Sequence, residues 1–372
     1  MIVLEDLHWV DPSTLELMQT RVEQVATAPL MLLYTARPEF RVPWAMRAHH
    51  AQITLSRLSD QHTRQMISGV GASAGLAEDV IDTVVKRTDG VPLFTEDLTR
   101  LMLEGGGGSV AREIPVTLHD SLMARLDRLG AAKEVAKVGA VLGREFSHEL
   151  LQAVSSMSQA ELQAALVKLT DAELIYARGI APEAQYQFKH TLIQDAAYQA
   201  LLKSRRRELH RRAAETIVQK FPAAAEAQPE VIACHLSDAG DAEPAIGPWK
   251  KAADAADARR AFKEAEQAYR QALLMLSTLP ESAQRDAREL ALQNALWRVL
   301  VLTRGFAGPK TLEISARARS LAEKSGSLAD LVQQLAGVGP AYPPRATPLG
   351  QAQWPTGYST SPGKKAVQRV LL

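Results

Sequence analysis

The feature that most restricts this chain stands at its start, where the apolar run Ile2-Val3-Leu4 meets two acids at once, Glu5 and Asp6. A β-branched and leucine run of this kind reads as a buried parallel strand with its carboxyl end at a site. A helix-like stretch follows, opened by Asp11-Pro12-Ser13-Thr14 and carrying Leu15, Leu17, Met18, Val22 and Val25. A second apolar run, Pro29-Leu30-Met31-Leu32-Leu33-Tyr34-Thr35, completes a βαβ pattern. Gln52-Ile53-Thr54-Leu55 is expected to add a third strand to the parallel sheet.

The period then turns helical over residues 59–104, with Gly90-Val91-Pro92 breaking the run just before a helix that begins near Leu93. The glycines of residues 105–108 read as a flexible joint. Residues 114–190 read as three or four short helices, then two strands at 174–177 and 186–188 around a turn, which together suggest a winged helix. Beyond it the chain is rich in Ala, Leu, Glu and Arg with helical periodicity to about Lys324. Residues 252–276 are expected to be helical, with small alanines alternating with Phe262, Tyr269 and Leu273. Paired helices of this kind resemble a solenoid, although no period is cleanly recovered twice. After Gly326, prolines arrive among Gly and Ser without amphipathic pattern, so a disordered tail is expected, and a stop there suggests truncation or an out-of-frame end as much as a designed tail.

Composition removes several function classes. At 372 residues and 46% hydrophobic, the chain can bury a real core and is expected to divide into units of roughly 100 to 150 residues. A formal charge of +1 supplies no global field to draw it onto nucleic acid or anionic lipid. Cys234 is the only cysteine, which excludes an intramolecular disulfide framework and suits a cytoplasmic setting. No apolar run approaches the roughly 20 residues that cross a bilayer, so no membrane partner is expected.

The stretch Ile2-Val3-Leu4-Glu5-Asp6-Leu7-His8-Trp9-Val10-Asp11-Pro12-Ser13-Thr14-Leu15 resembles the Walker B segment of STAND-class signalling ATPases, AAA-related proteins often fused to nucleotide cyclase or transcription-factor domains. The resemblance implies that Glu5 and Asp6 serve the Mg²⁺ shell and the attacking water of ATP, with Mg²⁺ reached only through the nucleotide. Tyr34-Thr35-Ala36-Arg37-Pro38-Glu39-Phe40 resembles the family's second strand with its sensor, which implies that Arg37 lies near the γ-phosphate. Gly90-Val91-Pro92-Leu93-Phe94 resembles the Gly-x-Pro motif of the helical lid, implying that Gly90 and Pro92 pack near the adenine. Read structurally, the same pair is a helix stop and a helix start. Phe188-Lys189-His190-Thr191-Leu192-Ile193-Gln194-Asp195-Ala196-Ala197-Tyr198, with Arg205-Arg206-Arg207-Glu208-Leu209-His210, looks like the junction of winged helix and helical repeats in the cyclase-associated members.

One element of the family's pattern is missing. No Gly-x-x-x-x-Gly-Lys-[Ser/Thr] occurs in the 372 residues, and the family places that phosphate-binding loop well before the Walker B strand, so the start reads as truncated or misplaced. The glycines at 105–108 lack the Lys-Ser/Thr ending and the strand-to-helix setting, and cannot replace it. ATP and Mg²⁺ are therefore expected of the family, with hydrolysis lost here.

The expected fold is mostly α with a partial N-terminal α/β portion, multi-domain, a winged helix followed by a helical-repeat-like region. Its parts are residues 1–58 (the back of the nucleotide core), 59–110 (lid), 111–190 (winged helix), 191–325 (tetratricopeptide-like helices) and 326–372 (tail). The helices are expected to bind protein partners, with oligomeric assembly left open. The alternatives are a helical scaffold without a nucleotide role and a winged-helix transcription regulator. Residues 203–212 hold six Lys or Arg that could touch phosphates, but Glu208 and the helical spacing suit a solvated face, so nucleic acid is not the expected partner. The residues around 158–172 offer a DNA-reading helix only Lys168 as a cation. His8, His49, His50, His119, His148, His190, His210 and His235 make no metal-ligand spacing with Cys234.

Overall fold

The computed structural model describes residues 1–25, 28–70, 76–104 and 117–325. The fold is mostly α, with a small parallel α/β portion, a winged helix and a helical-repeat-like region. The chain divides into two compact units: one comprises Met1–Trp44, Gln228–Ser237 and the described residues from Ala242 on, the other Ala45–Ala227 with Asp238–Asp241.

The first unit opens as its sequence pattern predicts. Strand β1 (Ile2–Leu4) and strand β2 (Leu32–Tyr34) pair in parallel, Val3 opposite Leu33, and helix α1 (Pro12–Gln24) makes the crossover. Asp11 caps α1 by accepting the Thr14 N–H at 2.8 Å, and Pro12 takes the first turn, where its missing N–H costs nothing. Leu7, Met18, Val22 and Trp44 are buried together, with Leu4, Leu32 and Tyr34 packed on them.

In the second unit, helices α2 (Asp60–Gly69), α3 (Glu78–Thr88) and α4 (Pro92–Glu104) bury Ile67, Val84, Leu98 and Leu101 against one another. Gln52-Ile53-Thr54-Leu55, expected as a strand, belongs to no described strand. Ile53 is 82% exposed and Leu55 90%, so their β-propensity finds no partner to pair with. The expected joint at residues 105–108 lies outside the described residues.

The winged helix then follows: α5 (Leu118–Arg128), α6 (Ala131–Leu142), β3 (Glu145–Ser147), α7 (His148–Val154), α8 (Gln159–Asp171), β4 (Ile175–Arg178) and β5 (Gln185–Phe188). Both expected strands form, and β3, which the pattern did not announce, pairs with β5 on the side away from β4. Three residues are too few for alternation to register. Phe146 of β3 lies over the backbone of α6 at Gly139, where a Cβ would come within 2.7 Å of the ring. Helix α8 starts on a complete capping box: Ser158 accepts the Glu161 N–H, and Glu161 accepts the Ser158 N–H. Helices α9 (Thr191–Gln199) and α10 (Lys203–Lys220) add Ile193, Ala196, Leu209 and Ala213 to the core that holds Leu126, Leu162, Leu166 and Phe188. Short α11 (Pro222–Ala227) ends this stretch.

After α12 (Pro229–Ala239) come two helical hairpins, α13 (Ala242–Ala258) with α14 (Phe262–Ser277) and α15 (Ala283–Arg304) with α16 (Pro309–Ser325), stacked through α14 and α15. The stretch 252–276 is thus two helices. The chain reverses at 259–261, where Arg260 takes φ +61°. Ala253, Ala265 and Ala272 are fully buried and let the helices approach closely around Tyr269, whose hydroxyl donates to Asp254 at 2.6 Å. The tail expected after Gly326 lies outside the described residues.

Candidate functional site

Thr35 joins the carboxyl ends of β1 and β2. Its N–H donates to Leu4 O at 3.0 Å, its carbonyl accepts the Leu7 N–H at 2.8 Å, and its Oγ1 accepts the Asp6 N–H at 3.0 Å. This bonding holds Asp6 at φ +55°, a left-handed conformation that aspartate tolerates better than most residues. Leu7 turns inward to 1% exposure, Glu5 is exposed, and Asp6 is half-buried. Arg37, just past β2, lies with its Cζ 5.4 Å from the centroid of the Trp9 ring. Such stacking favours a guanidinium by about 0.5–1 kcal/mol at an exposed position. The structure thus gathers Glu5, Asp6 and Arg37 at one end of a two-stranded sheet. Among the described residues no group of three or more His, Cys, Asp or Glu could hold a metal ion.

The mouth of this region also meets the helical part of the same unit. Glu264 of α14 accepts the Ser13 N–H at 2.8 Å and the Ser13 hydroxyl at 2.7 Å, and Lys263 pairs with Glu16. A carboxylate on the amides of a helix start is favoured by the helix dipole.

Gly90 and Pro92 lie in the second unit. Asp89 and Gly90 both have positive φ, +47° and +67°, and Pro92 opens α4. Gly90 O accepts the Leu58 N–H at 2.8 Å, and Arg57 pairs with Asp89, so the turn is closed by the segment before α2. A Cβ at Gly90 would fall on the Leu58 carbonyl oxygen. Glycine is therefore required by a close backbone approach, a reason beyond helix punctuation.

Sequence reasoning missed a charged network between α4, α5 and the hairpin β4–β5. Asp97 accepts from Arg125 Nη1 at 2.5 Å and Ser121 Oγ at 2.6 Å, and Arg125 Nη2 donates to Ala172 O at 2.5 Å. Lys189 donates to Glu96 at 2.7 Å and Glu173 at 3.0 Å, and Arg100 joins the same two acids. The one visible sign is Glu96-Asp97 with Arg100 on a single helical face; the partners come from segments far along the chain. Burial and the neighbouring Lys189 hold His190 below the ordinary histidine range. The six cations of residues 203–212 are largely engaged within the chain. Arg206 donates to Leu201 O and stacks on Tyr198, Arg211 chelates Asp241, Arg212 donates to Ser155 O, and Arg205 pairs with Glu208.

Burial pushes the Glu96 carboxyl up, but the Lys189 hydrogen bond and the charges of Lys189 and Arg100 outweigh it and leave it below the usual glutamate range. Lys189 lowers Glu173 likewise. Groups lowered on folding stabilise fully above the unfolded-state value and lose that contribution as pH falls through the folded one. The urea midpoint is expected to drop between about pH 5 and pH 3, and to drop less in Lys189→Met. Equal drops would place the linkage elsewhere.

No family model matches the chain. It is 28% identical over 341 residues to an uncharacterised protein of Rhizobium meliloti (strain 1021), a match covering 87% of this chain and 33% of the relative. The chain thus spans about a third of the length of that curated relative. Among solved structures, it is similar to a Signal Transduction ATPase with Numerous Domains (STAND) protein with a tetratricopeptide repeat sensor from Pyrococcus horikoshii. That similarity has a TM-score of 0.42 at 12% identity and covers 90% of this chain and 52% of that one. No described helix is long and apolar enough to cross a membrane.

Proposed function

We propose that residues 1–44 are the magnesium and sensor half of a STAND-type nucleotide site, and that this chain acts by holding protein partners through its helices. The observation that carries the reading is the end-of-strand arrangement. A parallel βαβ unit puts Glu5 and Asp6 after β1 and Arg37 after β2, with Thr35 binding the two ends together. The sheet's second face supports it. Val3 and Leu33, paired in register, are 47% and 45% exposed, whereas parallel sheets bury both faces and two strands alone are marginal. Such an exposed apolar face supports reading the two strands as part of a wider sheet.

The residues fit only part of MgATP. A carboxylate pair after a strand suits the water shell of Mg²⁺, and Arg37 suits a phosphate charge. When bound, the nucleotide would supply the γ-phosphoryl group and the metal charge. The 372 residues contain no loop whose amides and lysine would cradle the phosphates, so no hydrolytic step is derived for them. Loss of one such electrostatic donor costs roughly 3 kcal/mol or more, and here the whole set is missing.

Calorimetric titration of MgATP into the chain is expected to show no saturable binding below about 1 mM, with Glu5→Gln and Arg37→Ala indistinguishable from the parent. Micromolar binding that these substitutions abolish would overturn the loss of activity. A DNA-reading alternative draws no support from α8, whose only cation is Lys168, nor from α10, where Arg205, Arg206, Arg211 and Arg212 are engaged as described.

A further inference from the structure

The helices α14, α15 and α16 enclose a groove of about 430 Å³. It opens between α14 and α16, the second helices of the two hairpins, and α15 forms its floor with Arg285, Glu289 and Gln293, spaced four residues apart on one face. Leu273 and Leu274 of α14 and Ile314 of α16 make its walls apolar, Leu274 being 53% exposed.

The charges in the groove are unequally satisfied. Arg317 chelates Glu289 at 2.6 and 2.8 Å, and Arg270 is held by Glu266 on its own helix. Arg285 differs: its Nε is shielded from water and has no hydrogen-bond partner among the described residues. Gln293 is 7% exposed, and its Oε1 also lacks a partner among them. A buried acceptor and a buried donor left unmade in one groove are costly unless something brings the complementary groups.

We propose that this groove binds a short acidic peptide segment of a partner protein, an apolar residue seated on Leu273, Leu274 and Ile314, a carboxylate on Arg285 and a backbone amide on Gln293 Oε1. The inference rests on the reading that the helices carry partner contacts, and it names the surface and the chemistry. A peptide is favoured over a small inorganic anion because Oε1 needs an N–H donor and the walls need apolar cover, neither of which such an anion provides. The face of α14 from Arg270 to Ser277 runs about 10 Å, room for about three extended residues.

The probes are two fluorescein-labelled nonapeptide pools, random except for a central Leu-Leu-Glu-Glu or Leu-Leu-Lys-Lys, titrated with the full chain in a polarisation assay. The acidic pool is expected to bind saturably and the basic pool not. Arg285→Met and Gln293→Met should each weaken binding about tenfold or more, with unchanged thermal melts, as expected for loss of a charge-assisted or buried hydrogen bond. Leu302→Ser, at a 67% exposed position of α15 outside the groove, should change nothing. Acidic-pool binding indifferent to both groove substitutions would move the contact to another surface and overturn the groove while sparing the interaction reading. Binding of neither pool, or displacement by millimolar inorganic phosphate alone, overturns the peptide assignment and leaves the nucleotide titration unaffected.

Discussion

Asp97→Ala is expected to destabilise the second unit by about 3–5 kcal/mol, the usual cost of removing one partner of a buried ion pair. Asp97 is 3% exposed and Arg125 5%, so the guanidinium left behind has little water to turn to. Ser121 would lose its acceptor as well, while the bond from Arg125 to Ala172 O survives and tethers the charge where it is least welcome. Urea unfolding followed by circular dichroism reads the loss, and an unchanged slope with denaturant would show that it is stability that moved. The double substitution Asp97→Leu with Arg125→Met should recover most of it, since apolar replacement of a whole buried pair is often neutral or better. A loss below about 1 kcal/mol for Asp97→Ala would show that the pair is solvated in solution and that α4 is not pinned to α5 by it.

Gly90→Ala is expected to cost about 2–5 kcal/mol, combining the left-handed backbone, about 1–2 kcal/mol for a residue with a Cβ, with an overpacking term of about 1–3. The new methyl would fall on the Leu58 carbonyl, a backbone atom that moves only by breaking the 2.8 Å bond from Leu58 N–H to Gly90 O. Gly179→Ala separates the two terms. It too has positive φ, +84°, but its nearest foreign atom would be 3.7 Å away, so only the conformational cost applies. Equal losses at the two positions would show that the Leu58 approach is not maintained in solution, and with it the structural reason for glycine in the Gly-x-Pro motif.

The parts legible from the sequence are those in which local chemistry and the final environment agree. Ile2-Val3-Leu4, the Asp11-Pro12 helix start and the run through Leu33 specify β1, α1 and β2 because each segment carries its own local signal, although Ile2, Val3 and Leu33, expected to be buried, stay exposed. Gln52 to Leu55 misleads for the opposite reason. The residues favour a strand, but a strand exists only where another offers its ladder, and none of the described segments does. The alanine-rich stretch 252–276 hides its break because nothing in its composition marks residues 259–261. The reversal is imposed by α13 and α14 packing on each other around Tyr269.

For the candidate site, the family resemblance of the Ile2 to Leu15 and Tyr34 to Phe40 stretches pointed to Glu5, Asp6 and Arg37, and the βαβ pattern put both strand ends on one side. Neither could supply the Thr35 bonds that hold Asp6, the stacking of Arg37 on Trp9, or the seating of Glu264 on Ser13, 251 positions away. Hydrophobic periodicity, caps and strand runs are short-range properties, written within a few residues, and from the sequence alone they determined the helical character, the βαβ start and the winged helix. Which charges would meet, Asp97 with Arg125 in the buried interior or Lys189 with Glu96 nearer the surface, and which polar groups would be left unmatched in the α14–α16 groove, were decided only by the tertiary structure. Those outcomes depend on distances between segments that no local pattern encodes.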